Sequence, residues 1–457
     1  MKISYGGAAM TESVIYNMVT TYLIFYLTTI AGIDAAIAGG IMAMAAIAQI
    51  IWNLFISYIS DHCSSRMGRR RPFILIGGVF FSLSGCLFFA DVADVELLKI
   101  IVYGGIAILY GISYATFYSP YLTLNGDMVE DYAQKSRIRS TTYMIGSLGT
   151  IIGSALPSPA VAFLTEQGMN PKDAWRCLAF LIVVWVMGFL LVTFFLTKQY
   201  DKPIQQAKKT KKCLAVIKDI IREYREILTI RPVKRVMIFC ICLASASCLE
   251  TGVKIYYLTY NVGFSAAEIT WNMICCSLLG TLCVPFITKM ITRFGRIPVL
   301  ISAFGITTVM RILLTDVVPA TSFLGTLVLM LLLKIGIGIF WQVSPEFFYD
   351  IAKYDEYRNF RKRESAITSL LNICEAFANA LAGRLTGIVL QISGFAGEMA
   401  VQETGVQMGI KLLLIYIPIL FWIVGIAVIF RYPITRSYYD HLVAELKRRE
   451  AKETHFS

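Results

Sequence analysis

A short basic turn occurs twice in this chain, and its repetition constrains the fold more than any other feature. Arg66-Met67-Gly68-Arg69, with Pro72 just beyond, returns as Arg293-Phe294-Gly295-Arg296, with Pro298 just beyond. Gly32-Ile33-Asp34-Ala35-Ala36 returns as Gly263-Phe264-Ser265-Ala266-Ala267. Asp127, with the charged run to Arg139-Ser140, returns as Asp350 with the run to Arg363-Glu364-Ser365. The offsets of 231, 227 and 223 are about half of the 457 residues, so the second half reads as a divergent copy of the first. Each turn joins two long apolar segments. Duplicated hydrophobic halves are how membrane transporters build a path between two bundles that rock against each other.

The composition fits a membrane protein, at 57% hydrophobic and 16% charged residues with a mean hydropathy of +0.65. A helix needs about 20 apolar residues to cross a bilayer. Twelve segments meet that demand: 9–31, 36–60, 73–92, 98–122, 142–164, 177–197, 236–260, 267–290, 297–317, 322–345, 365–393 and 409–431. The first carries Glu12 and Asn17 without a small-residue cleavage site, so it reads as a retained span. The expected fold is all-α, with twelve transmembrane helices in two pseudo-symmetric six-helix bundles. The expected units are a first bundle over 1–197, a linker over 198–235, a second bundle over 236–431 and a tail over 432–457.

The formal net charge of +12 is a topology signal and not a nucleic-acid signal. With an even number of spans, both termini and the loops after even-numbered spans share one side. That side holds 34 of the 42 Lys and Arg residues, which places both termini in the cytoplasm and the chain in the cytoplasmic membrane. The linker reads as solvated and basic, with an amphipathic helix carrying Val216, Ile217, Ile220, Ile221, Tyr224 and Ile227 on one face. A second short helical pattern, 441–452, is expected to be exposed. Asp34 and Ser265 stand where helices begin and suit capping of free backbone N–H groups.

Catalytic chemistry finds no support. The eleven cysteines are scattered without metal-ligand spacing, and the three histidines (His62, His441 and His455) all fall in cytoplasmic segments. No phosphate-binding or dinucleotide-binding glycine loop is present, so transport driven by ATP on this chain is not expected. No catalytic residue, metal site or cofactor is assigned.

Four stretches carry a family resemblance. They are Tyr22-Leu-Ile-Phe-Tyr-Leu-Thr-Thr-Ile-Ala-Gly32, Asp61-x4-Arg66-Met-Gly-Arg-x-Arg-Pro72, Tyr256-Tyr-x-x-Tyr-x-x-Gly263 and Trp341-x8-Asp350-x3-Tyr354-Asp-Glu-Tyr357-x3-Arg361-Lys-Arg-Glu364. The chain resembles the glycoside–pentoside–hexuronide:cation symporters of the major facilitator superfamily, which include the melibiose permease. The resemblance implies a central site and sugar-type solutes moved by alternating access. It also extends to lysolipid carriers, so a lipid or amphiphile is a second substrate class, and a non-transporting sensor a third reading. Expected partners are a sugar-type small molecule and the lipid bilayer, with no nucleic acid, for a monomer.

Cation coupling in that family is implied to rest on carboxylates in spans 1, 2 and 4. The matching positions here are Ser13 (beside Glu12), Gln49, Asn53 and Tyr114. The implied arginine of span 5 is Thr142, and the implied lysine of span 11 is Ala376, preceded by Glu375. Amide oxygens can coordinate sodium but cannot neutralise it in a low dielectric, so the coupling ion stays open between proton and sodium. Substrate-binding candidates are Asn17, Gln49, Asn53, Tyr114, Tyr118, Thr142, Trp341 and Gln342. Trp341 matches the family's span-10 aromatic, and an aromatic face suits the C–H face of a sugar.

Charges inside spans are costly and therefore functional candidates: Glu12, Glu250, Lys254, Lys334 and Glu375. Glu250 and Lys254 are four apart, which predicts a pair on one helix face. Arg311 is expected to meet Asp316, and Arg384 to reach toward one end of its span. A gating network is expected where the repeated turns meet acidic partners: Asp61, Arg66, Gly68, Arg69, Asp127, Arg139, Arg293, Gly295, Arg296, Asp350, Arg361 and Arg363.

Overall fold

The computed structural model describes residues 2–457 without 62, 64, 66, 92–94, 129–131, 199–212, 318–321, 360–362, 398, 400–401, 431, 435–437, 439–441, 443–444 and 447–457. Some helical residues are described by backbone alone, Asp61, Asp127 and Arg139 among them. The described residues are helical throughout their ordered elements. The first half contributes α1 (Lys2–Phe25), α2 (Ala35–Asp61), α3 (Arg71–Leu87), α4 (Glu96–Met128), α5 (Tyr132–Ala155), α6 (Pro157–Glu166) and α7 (Pro171–Leu196). After α8 (Cys213–Leu228), the second half contributes α9 (Arg231–Tyr256), α10 (Ala266–Phe294), α11 (Arg296–Ile312), α12 (Phe323–Asn359), α13 (Glu364–Ile392), α14 (Thr404–Lys411) and α15 (Ile417–Ile429). Eleven helices or joined helices are long and apolar enough to cross a membrane. The shorter apolar α3, at 17 residues, stands where the third span is expected.

The halves repeat in detail. α1 continues as a wider π-helical segment over Tyr26–Ile30, and α9 continues likewise over Tyr257–Val262, at the same offset of 231. The chain then turns at Gly32 (φ 70°) and Gly263 (φ 78°), in the left-handed region that suits glycine. Ser265 starts α10 with a reciprocal capping box to Glu268.

Three expected elements differ in extent. Span 5 is broken at Leu156 into α5 and α6, because Pro157 lacks the N–H that would continue the ladder. α12 runs on to Asn359, 37 residues or about 55 Å at 1.5 Å per residue, so it projects beyond the apolar zone with Asp350, Tyr354 and Asp355 on it. The tail pattern lies mostly outside the described residues, but Leu442 is buried where exposure is expected. In the linker, α8 docks through buried Ile227 and a 2.7 Å hydrogen bond between the Tyr224 and Ser369 hydroxyls.

Within the first bundle α1 packs on α5 and α2 on α4; within the second α9 packs on α13 and α15. The bundles meet where α2 lies against α13, α1 against α9, and α10 against α5 and α6. On the side away from the N-terminus this seam is closed by backbone approaching backbone. A Cβ on Gly39 would lie 2.2 Å from the Gly383 carbonyl oxygen, and one on Gly387 would lie 2.3 Å from that of Ala35. Nearby, the Thr28 and Tyr256 hydroxyls are 2.7 Å apart, and Tyr256 sets its ring edge-on to Phe25 and Phe395. Arg384 does not run free along its span; its Nη1 donates across the seam to the Ala36 carbonyl at 3.0 Å.

The apolar cores show the same asymmetry. One core runs through the first bundle and, at the sealed side, continues into Tyr256, Leu258 and Leu413 of the second. The other is confined to the linker helix, the second bundle and its tail on the N-terminal side. The bundles are therefore joined on one side and separate on the other. Gly39→Leu is expected to wedge α2 from α13, since overpacking of this kind costs about 1–3 kcal/mol. A cysteine placed at Ala36 would then react faster with a membrane-impermeant maleimide; an unchanged rate would show that close backbone approach does not shut this side.

Candidate transport cavity

α1 sets Glu12 and Tyr16 one helical turn apart on one face. Glu12 accepts hydrogen bonds from the Ser13 hydroxyl at 3.0 Å and the Tyr114 hydroxyl at 3.3 Å. The Tyr16 hydroxyl donates to Glu375 at 3.0 Å and accepts from the Asn379 amide at 2.9 Å. Tyr16 stacks on Tyr114 at 5.4 Å, and Tyr114 on Tyr118 at 5.2 Å. Two carboxylates from opposite bundles are thus held at the two ends of one stacked tyrosine pair.

Beside this ladder lies a cavity of about 320 Å³, with walls from α1 and α4–α5 of the first bundle and α10 and α12 of the second. Glu12, Tyr118, Thr142, Thr150, Ser277 and Lys334 line it. A smaller hollow of about 90 Å³ adjoins it deeper in the protein, where Asn17, Thr150, Glu250, Lys254, Asn272 and Lys334 converge. Each wall helix places the larger cavity from the mid-depth toward the side of the N-terminus, where the two cores part. The chamber therefore lies on the side of the N-terminus, away from the glycine-closed seam.

Of the sequence candidates, Asn17, Tyr118, Thr142, Glu12, Glu250, Lys254 and Lys334 line these two spaces. Tyr114 and Glu375 stand behind them in the tyrosine ladder. Gln49 is buried on α2, whose backbone closes on Gly111 of α4, and neither Gln49 nor Asn53 lines either space. Trp341 and Gln342 do not line them either. Trp341 lies two turns beyond Lys334, beside Phe340 at 5.0 Å and against the second core. Thr150, Asn272 and Ser277 are wall residues that sequence reasoning missed, since small polar residues on an apolar helix carry no spacing signal.

The expected pairing of intramembrane charges is corrected. Glu250 does not pair with Lys254; its Oε1 accepts from Arg311 Nη1 at 2.7 Å, with the two side chains 2% and 0% exposed. Arg311 also covers the Trp422 ring at 3.9 Å, so it does not meet Asp316, which accepts from the Tyr416 hydroxyl instead. Burial explains the preference: a guanidinium can be packed on an aromatic face and bonded at once, whereas Lys254 keeps its head in the cavity.

On the N-terminal side, both turn glycines have positive φ, 108° at Gly68 and 87° at Gly295. Arg296 donates to Asp350 at 2.7 Å and lies 3.4 Å from Glu346. Arg363 grips Asp355 through two nitrogens at 3.0 and 2.9 Å and reaches Glu226 at 3.1 Å. These carboxylates hold its guanidinium above its ordinary pKa, the Asp355 hydrogen bond first. Asp355 and Glu226 were not among the expected partners. Arg293 lies over the Phe294 ring, and Arg69 is described in the first turn. Among the described residues no ion pair joins the two bundles. Arg66 and Arg361, and the side chains of Asp61, Asp127 and Arg139, lie outside the described set.

The family described as MFS/sugar transport protein matches residues 4–436. The uncharacterized symporter YnaJ of Bacillus subtilis is 27% identical over 98% of this chain and 95% of its own. The isoprimeverose transporter of Lactiplantibacillus pentosus is 22% identical over 99% and 92%. The crystal structure of the nucleoside transporter NupG superposes with a TM-score of 0.65 at 14% identity, covering 95% of this chain and 99% of that one, which shows the shared fold.

Arg311→Leu is expected to destabilise the protein by about 3–5 kcal/mol, because it strands a buried carboxylate. Pairing it with Glu250→Leu should restore most of the thermal stability in detergent. A single variant as stable as the parent would show that the pair does not hold α9 to α11.

Proposed function

We propose that this chain, which belongs to the MFS/sugar transport protein family, takes up a sugar, glycoside or related polar solute by secondary active transport. The observation that carries the reading is the cavity itself: walls from both bundles, polar groups at mid-depth, a glycine-closed seam on one side and parted cores on the other. Rocking the bundles about such a seam exposes the same chamber to each side in turn. The isoprimeverose transporter among its relatives supports a carbohydrate solute. The chain lies in the cytoplasmic membrane with both termini cytoplasmic, supported by the one-sided distribution of Lys and Arg. No catalytic reaction is assigned to it.

The driving ion is a proton, carried by Glu12 and Glu375. Both are held by tyrosine hydroxyls at the boundary between bundles, so their protonation state is coupled to how α1 meets α13. Sodium favours several oxygen ligands around one point, whereas each of these carboxylates stands with a tyrosine of its own.

In proteoliposomes, Glu12→Gln and Glu375→Gln are each expected to abolish accumulation driven by a pH gradient while solute counterflow persists. Accumulation that survives both substitutions, or that follows sodium and ignores pH, would remove the proton assignment. Absence of any solute flux from the parent protein would remove the transport reading.

A further inference from the structure

The second-bundle wall of the chamber holds more positive charge than it can satisfy. Lys254 on α9 and Lys334 on α12 both line the inner hollow, and among the described residues neither has a hydrogen-bond or ion-pair partner. Both ammonium groups share that one small space. The acidic group beside them, Glu250, gives one oxygen to Arg311 and keeps Oε2 without a partner, and Glu12 in the outer space is engaged by Ser13 and Tyr114. Two lysines therefore share this wall with a single carboxylate that Arg311 already holds from behind.

A third donor points the same way. Asn272 on α10 is 1% exposed, and its Nδ2 has no acceptor, while its Oδ1 takes the thiol of Cys276 one turn on. A buried amide nitrogen without an acceptor is costly, as is an unpaired ammonium at this depth. Among the described residues no hydrogen bond joins them to the hydroxyls nearby, Thr150, Ser154 and Thr251. Lys334 is steered into the space by Gly280, where a Cβ would come within 2.8 Å of its Cγ.

We propose that Lys254, Lys334 and Asn272 form an anion subsite, so that the solute is an acidic sugar whose negative group docks between α9, α10 and α12. This rests on the transport reading above and narrows its substrate to a saccharide bearing a carboxylate, sulfonate or phosphate. The anion would complete all three donors at once, and its ring would extend toward Tyr118 and Thr142 in the outer space. Because α9, α10 and α12 belong to one bundle while Tyr118 and Thr142 belong to the other, such a solute bridges the two moving bodies.

The test compares matched ligands on the full-length protein, by calorimetry in detergent and by counterflow in proteoliposomes. Methyl glucuronide, glucose 6-sulfate and glucose 6-phosphate are set against neutral methyl glucoside. At least one acidic sugar is expected to bind about tenfold or more tightly than the neutral one, the scale of one charge-assisted hydrogen bond; which one identifies the anion. Lys254→Gln, Lys334→Gln and Asn272→Leu should each erase that preference, and Lys334→Arg should keep part of it. Thermal stability of each variant separates misfolding from loss of the subsite. Neutral sugar bound as well as every acidic one, or a preference that survives the lysine substitutions, overturns the subsite while leaving sugar transport standing. If inorganic phosphate or sulfate binds as tightly as the sugars, the acidic-sugar assignment is overturned.

Discussion

Hydrocarbon does not solvate charge, and that constraint organises the interior of this protein. A cation or carboxylate at mid-depth needs a partner, a wet cavity or both. The chain uses each solution once. Arg311 and Glu250 are buried and bonded to each other, with Trp422 over the guanidinium. Glu12 and Glu375 are half-way cases, held by tyrosine hydroxyls at the bundle boundary. Lys254 and Lys334 are left to the chamber. Fold and site are therefore not separable here, because the position of the cavity decides which charges have to pair.

Much of the architecture was legible in the sequence because duplication leaves regular marks. Gly68 and Gly295 were readable as turn glycines from the motif alone, and both adopt the positive φ that only glycine takes easily. The shared offset of Gly32 and Gly263 anticipated equal turns, although not the π-helical segments that precede them. Pro157 was visible as a residue, yet its effect on span 5 depends on how α5 and α6 find separate neighbours.

The site was legible in its inventory and not in its pairings. Every intramembrane charge was identifiable by its cost, but spacing along one helix favoured Glu250 with Lys254, and the fold chose Arg311 from α11 instead. Contacts between helices far apart in sequence override periodicity, which reports only a helix's own face. Trp341 shows the same limit: its chemistry suits a sugar, while its place along α12 puts it against the second core. Asn272 went unnoticed because nothing about an asparagine on an apolar helix announces that its amide will lack an acceptor.

The seam between α2 and α13 has an energetic consequence. It is made of glycine backbone against backbone, with Thr28–Tyr256 and Arg384–Ala36 as the polar contacts described at that end. A hydrogen bond of this kind contributes about 0.5–1.5 kcal/mol net, and among the described residues no buried ion pair spans that seam. The barrier to opening that side is accordingly set by shape and not by charge. A small solute, whose total binding energy is modest, has enough leverage to tip such an equilibrium.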